Sequence, residues 1–171
     1  MEKLKIMSLT RAEYVTEAFA TLAWKCPLKV LALDNCDELP FTAFRKLAER
    51  FKATLEVLDV VDTPVDSSEG ENKANYGQQF DLPLLNTLSL VTLHGPELLD
   101  MFESAPIKEF EIGFSPAIEF EHVEKFIAAR SGDARKVGVP KLEKVTVQGT
   151  HNFTEGQIES LEVSRPALVP H

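Results

Sequence analysis

The sequence predicts an α/β fold in which short parallel strands alternate with helical connections. Three observations carry that expectation. A nine-residue frame, apolar at its first, fourth and sixth positions, begins at residues 4, 28, 55, 85, 107 and 142. Its fourth and sixth positions obey the period of two that puts side chains on one face of a strand. The segments between frames instead place apolar residues three and four apart, as on a helix stripe. Strands alternating with helices in this way are parallel strands joined by crossovers. Steps of 22 to 35 residues between frames mark a repeat architecture.

Taken in order, LKIMSLTRA (4–12) is the first frame. A helix is expected over 12–24, with Tyr14, Ala18 and Leu22 on one stripe. LKVLALDNC (28–36) is the second frame, followed by a helix over 42–51 carrying Phe44, Leu47 and Phe51. LEVLDVVDT (55–63) is the third. The helical period then breaks at 64–81, a polar, acidic stretch rich in Gly and Ser that reads as a flexible loop or a solvated insertion. After LNTLSLVTL (85–93), Pro96 suits a first helical turn, and Leu98, Leu99 and Phe102 supply its apolar stripe. IKEFEIGFS (107–115) precedes a helix over 119–129 with Phe120, Val123, Phe126 and Ile127. Residues 130–140 lengthen this fifth unit before LEKVTVQGT (142–150). Thr154 and Gln157 form a capping box ahead of Ile158 and Leu161. The tail RPALVPH holds two prolines and ends the array.

Composition narrows the function. A net charge of −9 and a pI near 5.0 disfavour nucleic acid, whose phosphates need clustered Lys and Arg, and disfavour anionic membrane surfaces. No apolar run approaches the roughly 18–20 residues of a spanning helix. MEKLKIMSLTRAEY carries charges where a signal peptide needs an apolar core. With two cysteines and no such signal, the expected location is cytoplasmic or nuclear. The sequon at Asn152 is then a coincidence.

The repeat L-x-x-L-x-L-x-x-N/C resembles the leucine-rich repeat family over essentially the whole chain, 1–171, as one domain. LAWKCPLKVLALDNC resembles its cysteine-containing subclass: Leu22, Ala23 and Cys26 fill the helix end, and Leu28, Leu31, Leu33 and Cys36 fill the strand. Later units depart, with Phe51 at the helix-end cysteine and Thr63, Leu93, Ser115 and Thr150 at the closing position. The resemblance implies a horseshoe-shaped solenoid with strands on the concave face and helices on the convex face. That subclass includes ribonuclease-inhibitor-like proteins and the F-box proteins that recruit substrates to ubiquitin ligases. Irregular units such as these look most like the repeat region of fungal F-box-like proteins, here without an F-box ahead of Leu4.

Bond chemistry finds little support. Cys26 and Cys36 flank one strand whose length, roughly 16 Å over five residue steps, keeps them from the approach of about 7 Å that a disulfide needs. Zinc spacing is missing, so both are expected as small core residues. His94 and His151 follow strands, roughly 10 Å apart and out of reach of Cys36; His122 sits on a helix between Glu121 and Glu124 and is expected to be exposed, and His171 is terminal. No phosphate loop, nucleophile elbow or zincin motif occurs. The pairs Asp59/Asp62 and Glu109/Glu111 read as solvated or partner-facing carboxylates. No catalytic residue, cofactor or metal is expected.

The strand alternation points the third, fifth and seventh frame positions away from the core. They expose Ile6, Ser8 and Thr10; Val30, Ala32 and Asp34; Val57, Asp59 and Val61; Thr87, Ser89 and Val91; Glu109, Glu111 and Gly113; Lys144, Thr146 and Gln148. Ile6, Val30, Ala32, Val57, Val61 and Val91 are expected beside one another as an apolar patch, with an acidic border at Glu109 and Glu111. Such a patch marks an interaction site; the competing explanation is that β-branched residues simply favour strands. The expectation is therefore a non-enzymatic protein-interaction module, most like the substrate-recognition part of an F-box-type receptor. The alternative is an inhibitor or scaffold that takes a basic protein on its concave face. The first unit has no upstream cover, so another chain, a further segment or self-association is expected on its edge.

Overall fold

The structure is a computed structural model that describes residues 3–63, 65, 78–93, 95–130, 140–149 and 153–163. The expected strands appear as β1 (Ile6–Thr10), β2 (Val30–Asp34), β3 (Val57–Val61), β4 (Thr87–Val91), β5 (Glu109–Gly113) and β6 (Lys144–Gln148). Each covers the third to seventh positions of its frame. They form one parallel sheet in sequence order, with like frame positions opposite one another: Ile6 faces Val30, Val30 faces Val57, and so on to Lys144. Between them run α1 (Glu17–Thr21), α2 (Phe41–Arg50), α3 (Glu97–Met101) and α4 (Phe120–Ala128), and α5 (Glu155–Val163) follows β6.

The alternation sets the layers. The first, fourth and sixth frame positions of the four inner strands, such as Leu28, Leu31, Leu33, Ile107, Phe110 and Ile112, are fully or almost fully buried. At the outer strands Leu4, Leu9 and Val147 pack only partly against the core. Burying each such leucine contributes about 2 kcal/mol. The helices add Phe44, Leu47, Leu98, Leu99, Val123, Phe126 and Ile127 to the same core.

Every strand ends in the same corner. Arg11, Asn35, Asp62, Thr92, Phe114 and Gly149, the eighth residue of each frame, have positive φ between 44° and 61°. This left-handed step lets five of their N–H groups donate to the last carbonyl of the next strand, at 2.8 to 3.2 Å. The ninth position then carries a polar ladder. The Cys36 amide donates to Thr63 Oγ1 at 3.2 Å, and the Leu93 amide donates to Ser115 Oγ at 2.9 Å. The two hydroxyls in turn donate to Val61 and Gly113 carbonyls of their own units. The hydroxyls of Thr63 and Ser115 thus satisfy buried backbone amides that would otherwise cost stability. Cys36 itself is buried and makes a weak Sγ contact to the Leu9 carbonyl at 3.5 Å.

Two expectations change, and one buried residue is new. The first helix is five residues long rather than spanning 12–24, and Tyr14, Ala18 and Leu22 all face solvent. Val15 and Ala20 are buried instead, and small Ala20 faces the core beside α2. The helix ends at Thr21, so Leu22, Ala23 and Cys26 lie beyond it, and Pro27 disfavours helix at Cys26; Cys26 is half-buried. Second, residues 78–81 of the expected loop are strapped to the core. Phe80 is buried, 5.7 Å from Phe44 and stacked 4.6 Å from Phe102. The Arg45 guanidinium donates to the Gln78 and Gln79 carbonyls, while Gln79 bonds to the backbone of Asp100 and Ser104. Residues 64 and 66–77 of that loop lie outside the described residues, as do 131–139 of the fifth unit's extension. The new buried residue is Arg130. It donates to the Phe126 and Phe102 carbonyls at the ends of α4 and α3 and lies 3.7 Å from the Phe126 ring. Burial pushes its guanidinium down to about 10, still a cation at neutral pH. The expected capping box is present: Gln157 Oε1 accepts the Thr154 amide and Thr154 Oγ1 accepts that of Gln157.

Candidate protein-binding face

The parallel register turns the outward residues into three rows that cross the sheet. The first row runs Ile6, Val30, Val57, Thr87, Glu109, Lys144. The second runs Ser8, Ala32, Asp59, Ser89, Glu111, Thr146, and the third Thr10, Asp34, Val61, Val91, Gly113, Gln148. Neighbours within a row are about 4.8 Å apart, and rows are about 6.6 Å apart.

This placement brings the expected residues together, with a change in their grouping. Ile6, Val30 and Val57 are contiguous, and Ile6 is 63% exposed. Val61 and Val91 are neighbours in the third row. Asp59 separates these two apolar groups, so the six-residue patch expected from sequence is two strips with a carboxylate between them. On the inner strands the valines, Ala32, Asp34, Asp59, Thr87 and Ser89 are all half-buried, as side chains standing in a sheet surface are. Gly113 departs from the outward set: it is buried, with Val91 and Gln148 crowding the place a Cβ would take.

Charge is uneven across the face. Asp34, Asp59, Glu109 and Glu111 stand against Lys144, which lies opposite Glu109. Gln148 donates to Glu111 at 2.9 Å, whereas Asp59 Oδ1 has no hydrogen-bond partner and no solvent contact. Asp59 joins no ion pair among the described residues.

One exposed feature escaped the sequence reading. Phe114 is 54% exposed at the left-handed corner after β5, and its ring lies where a Cβ on Gly149 would sit. The eighth positions give the available signal: Asn35, Asp62 and Gly149 are types that tolerate positive φ, so Phe114 in the same frame position sits on the same corner.

Other chemistry-bearing residues do not converge. Burial pushes the Cys36 thiol up, away from the thiolate a nucleophile needs. His122 is half-buried rather than exposed, and its Nδ1 accepts the Glu119 amide at 3.1 Å as a helix cap. His94, His151 and His171 lie outside the described residues. Among the described residues no group of three His, Cys, Asp or Glu could hold a metal ion, and no helix is long and apolar enough to cross a membrane.

No family model matches the chain. No curated protein and no solved structure matches it either. The six-strand parallel sheet and its open face therefore stand on the geometry above.

Proposed function

We propose that this chain is a leucine-rich repeat solenoid that binds a protein on the open face of its sheet, without bond chemistry. In this reading it is the substrate-recognition part of an F-box-type ubiquitin ligase receptor. The observation that carries it is the register. It sets Ile6, Val30 and Val57 in one apolar strip with the Asp59 carboxylate in the next row, on a face that no described helix covers. The corner supports the family part of the reading, because it recurs in all six units at the same frame position, and the ninth-position hydroxyls of Thr63 and Ser115 add the same bond at two junctions.

A second reading has its own observation. Four carboxylates against one lysine on the face favour a basic protein, as expected of an inhibitor or scaffold. Affinity capture from cells with and without proteasome inhibition separates the two. A receptor retains proteins that accumulate with the inhibitor and carry ubiquitin. One dominant basic partner, indifferent to the inhibitor, favours the inhibitor reading, and a face that retains nothing overturns both.

A further inference from the structure

We propose that Asp59 is the floor of a socket for one Lys or Arg side chain of the bound protein. This deepens the binding reading of the open face and rests on it.

The shape comes from the register. Asp59 has Ala32 on one side and Ser89 on the other, two of the shortest side chains on the face. Along its own strand it lies between Val57 and Val61. Short neighbours across the sheet and branched apolar ones along it leave a carboxylate set low between methyl walls. Lys and Arg match that outline, because each joins a long apolar stem to a charged head. The stem covers Val57 or Val61 while the head reaches the carboxylate.

Electrostatics point the same way. Asp59 Oδ1 is shut off from water and has no hydrogen-bond donor, so the carboxylate is partly desolvated with no compensation from its own chain. The cation of this face, Lys144, is three strands away, about 14 Å. An incoming cation supplies the missing counter-charge. Asp34, one strand and one row away, and Glu111, two strands along the same row, add to the attraction and repel anionic segments. Phosphorylated or acidic partners are thereby disfavoured at this point.

The test uses the full chain panned against a random phage-displayed dodecapeptide library, beside Asp59→Asn and Val30→Asp/Val57→Asp. Peptides enriched by the unaltered chain are expected to share one Lys or Arg at a fixed distance from an apolar residue. Replacing that cation with norleucine in the synthetic peptide should weaken binding at least about tenfold. Asp59→Asn should weaken the original peptide equally and make the norleucine replacement nearly silent, the coupling a double-mutant cycle detects. Enriched peptides without a shared cation, or two losses that simply add, overturn the socket while leaving the binding face standing. If Asp59→Asn fails to fold, the norleucine comparison on the unaltered chain still decides. No enrichment over the Val30→Asp/Val57→Asp chain overturns the binding reading and the socket with it.

Discussion

Thr63 illustrates how much one hydroxyl does at a repeat corner. It accepts the Cys36 amide and donates to the Val61 carbonyl, both inside the protein. Thr63→Val keeps the shape but leaves the buried Cys36 amide without a partner, while the Val61 carbonyl keeps the Asn35 N–H, so urea unfolding should show a loss of about 1–3 kcal/mol. Thr92 sits on the neighbouring corner with φ at 61°, where a β-branched side chain is strained. Thr92→Asn should raise stability by about 1 kcal/mol in the same assay, because Asn visits this region readily. Neither effect depends on what the face binds. Arg130 is a fully buried cation whose two terminal nitrogens donate to helix-end carbonyls beside the Phe126 ring, while its Nε has no hydrogen-bond partner.

At the scale of the element, the strands were the most legible part of the sequence. Their period of two and the recurring frame set both their bounds and their faces, since a one-residue slip would turn every side chain over. Val57 and Leu58 test those faces directly: Leu58 is fully buried and Val57 stands half-buried on the open side. Leu58→Ala should cost about 2–5 kcal/mol, whereas Val57→Asp should cost about 1 kcal/mol or less, both read by thermal melts. A larger loss from Val57→Asp than from Leu58→Ala would mean that the faces are inverted. Helices were less legible. Tyr14, Ala18 and Leu22 share a helical stripe in the sequence, yet Tyr14 lies before the helix and Leu22 caps its end. Local periodicity does not report where a helix starts when Pro27 and the preceding corner leave it one turn and a half. Phe80 and Arg130 were invisible for a different reason. Phe80 packs between rings from other units, and Arg130 joins Phe126 of its own helix to the Phe102 carbonyl of another unit, a link that local sequence does not mark. The grouping of the face was partly legible: aligned frames list the rows, but the isolation of Asp59 from any donor needed side-chain coordinates.

For the whole molecule, six units in register bring together one continuous face that no single unit possesses. Apolar residues from β1 to β3 and carboxylates from β3 and β5 meet only because the strands stack in sequence order. If the open face binds as proposed, stability and binding occupy opposite sides of the sheet, and substitutions on one side should leave the other's property nearly intact. The most direct measurement is quantitative affinity capture with three versions of the full chain, each checked by thermal melt: unaltered, Val30→Asp/Val57→Asp, and Glu121→Lys on the helix layer. Proteins retained by the unaltered chain should be lost from the double variant and kept by Glu121→Lys. Retention by a folded double variant together with loss from Glu121→Lys would contradict the assignment of binding to the open face.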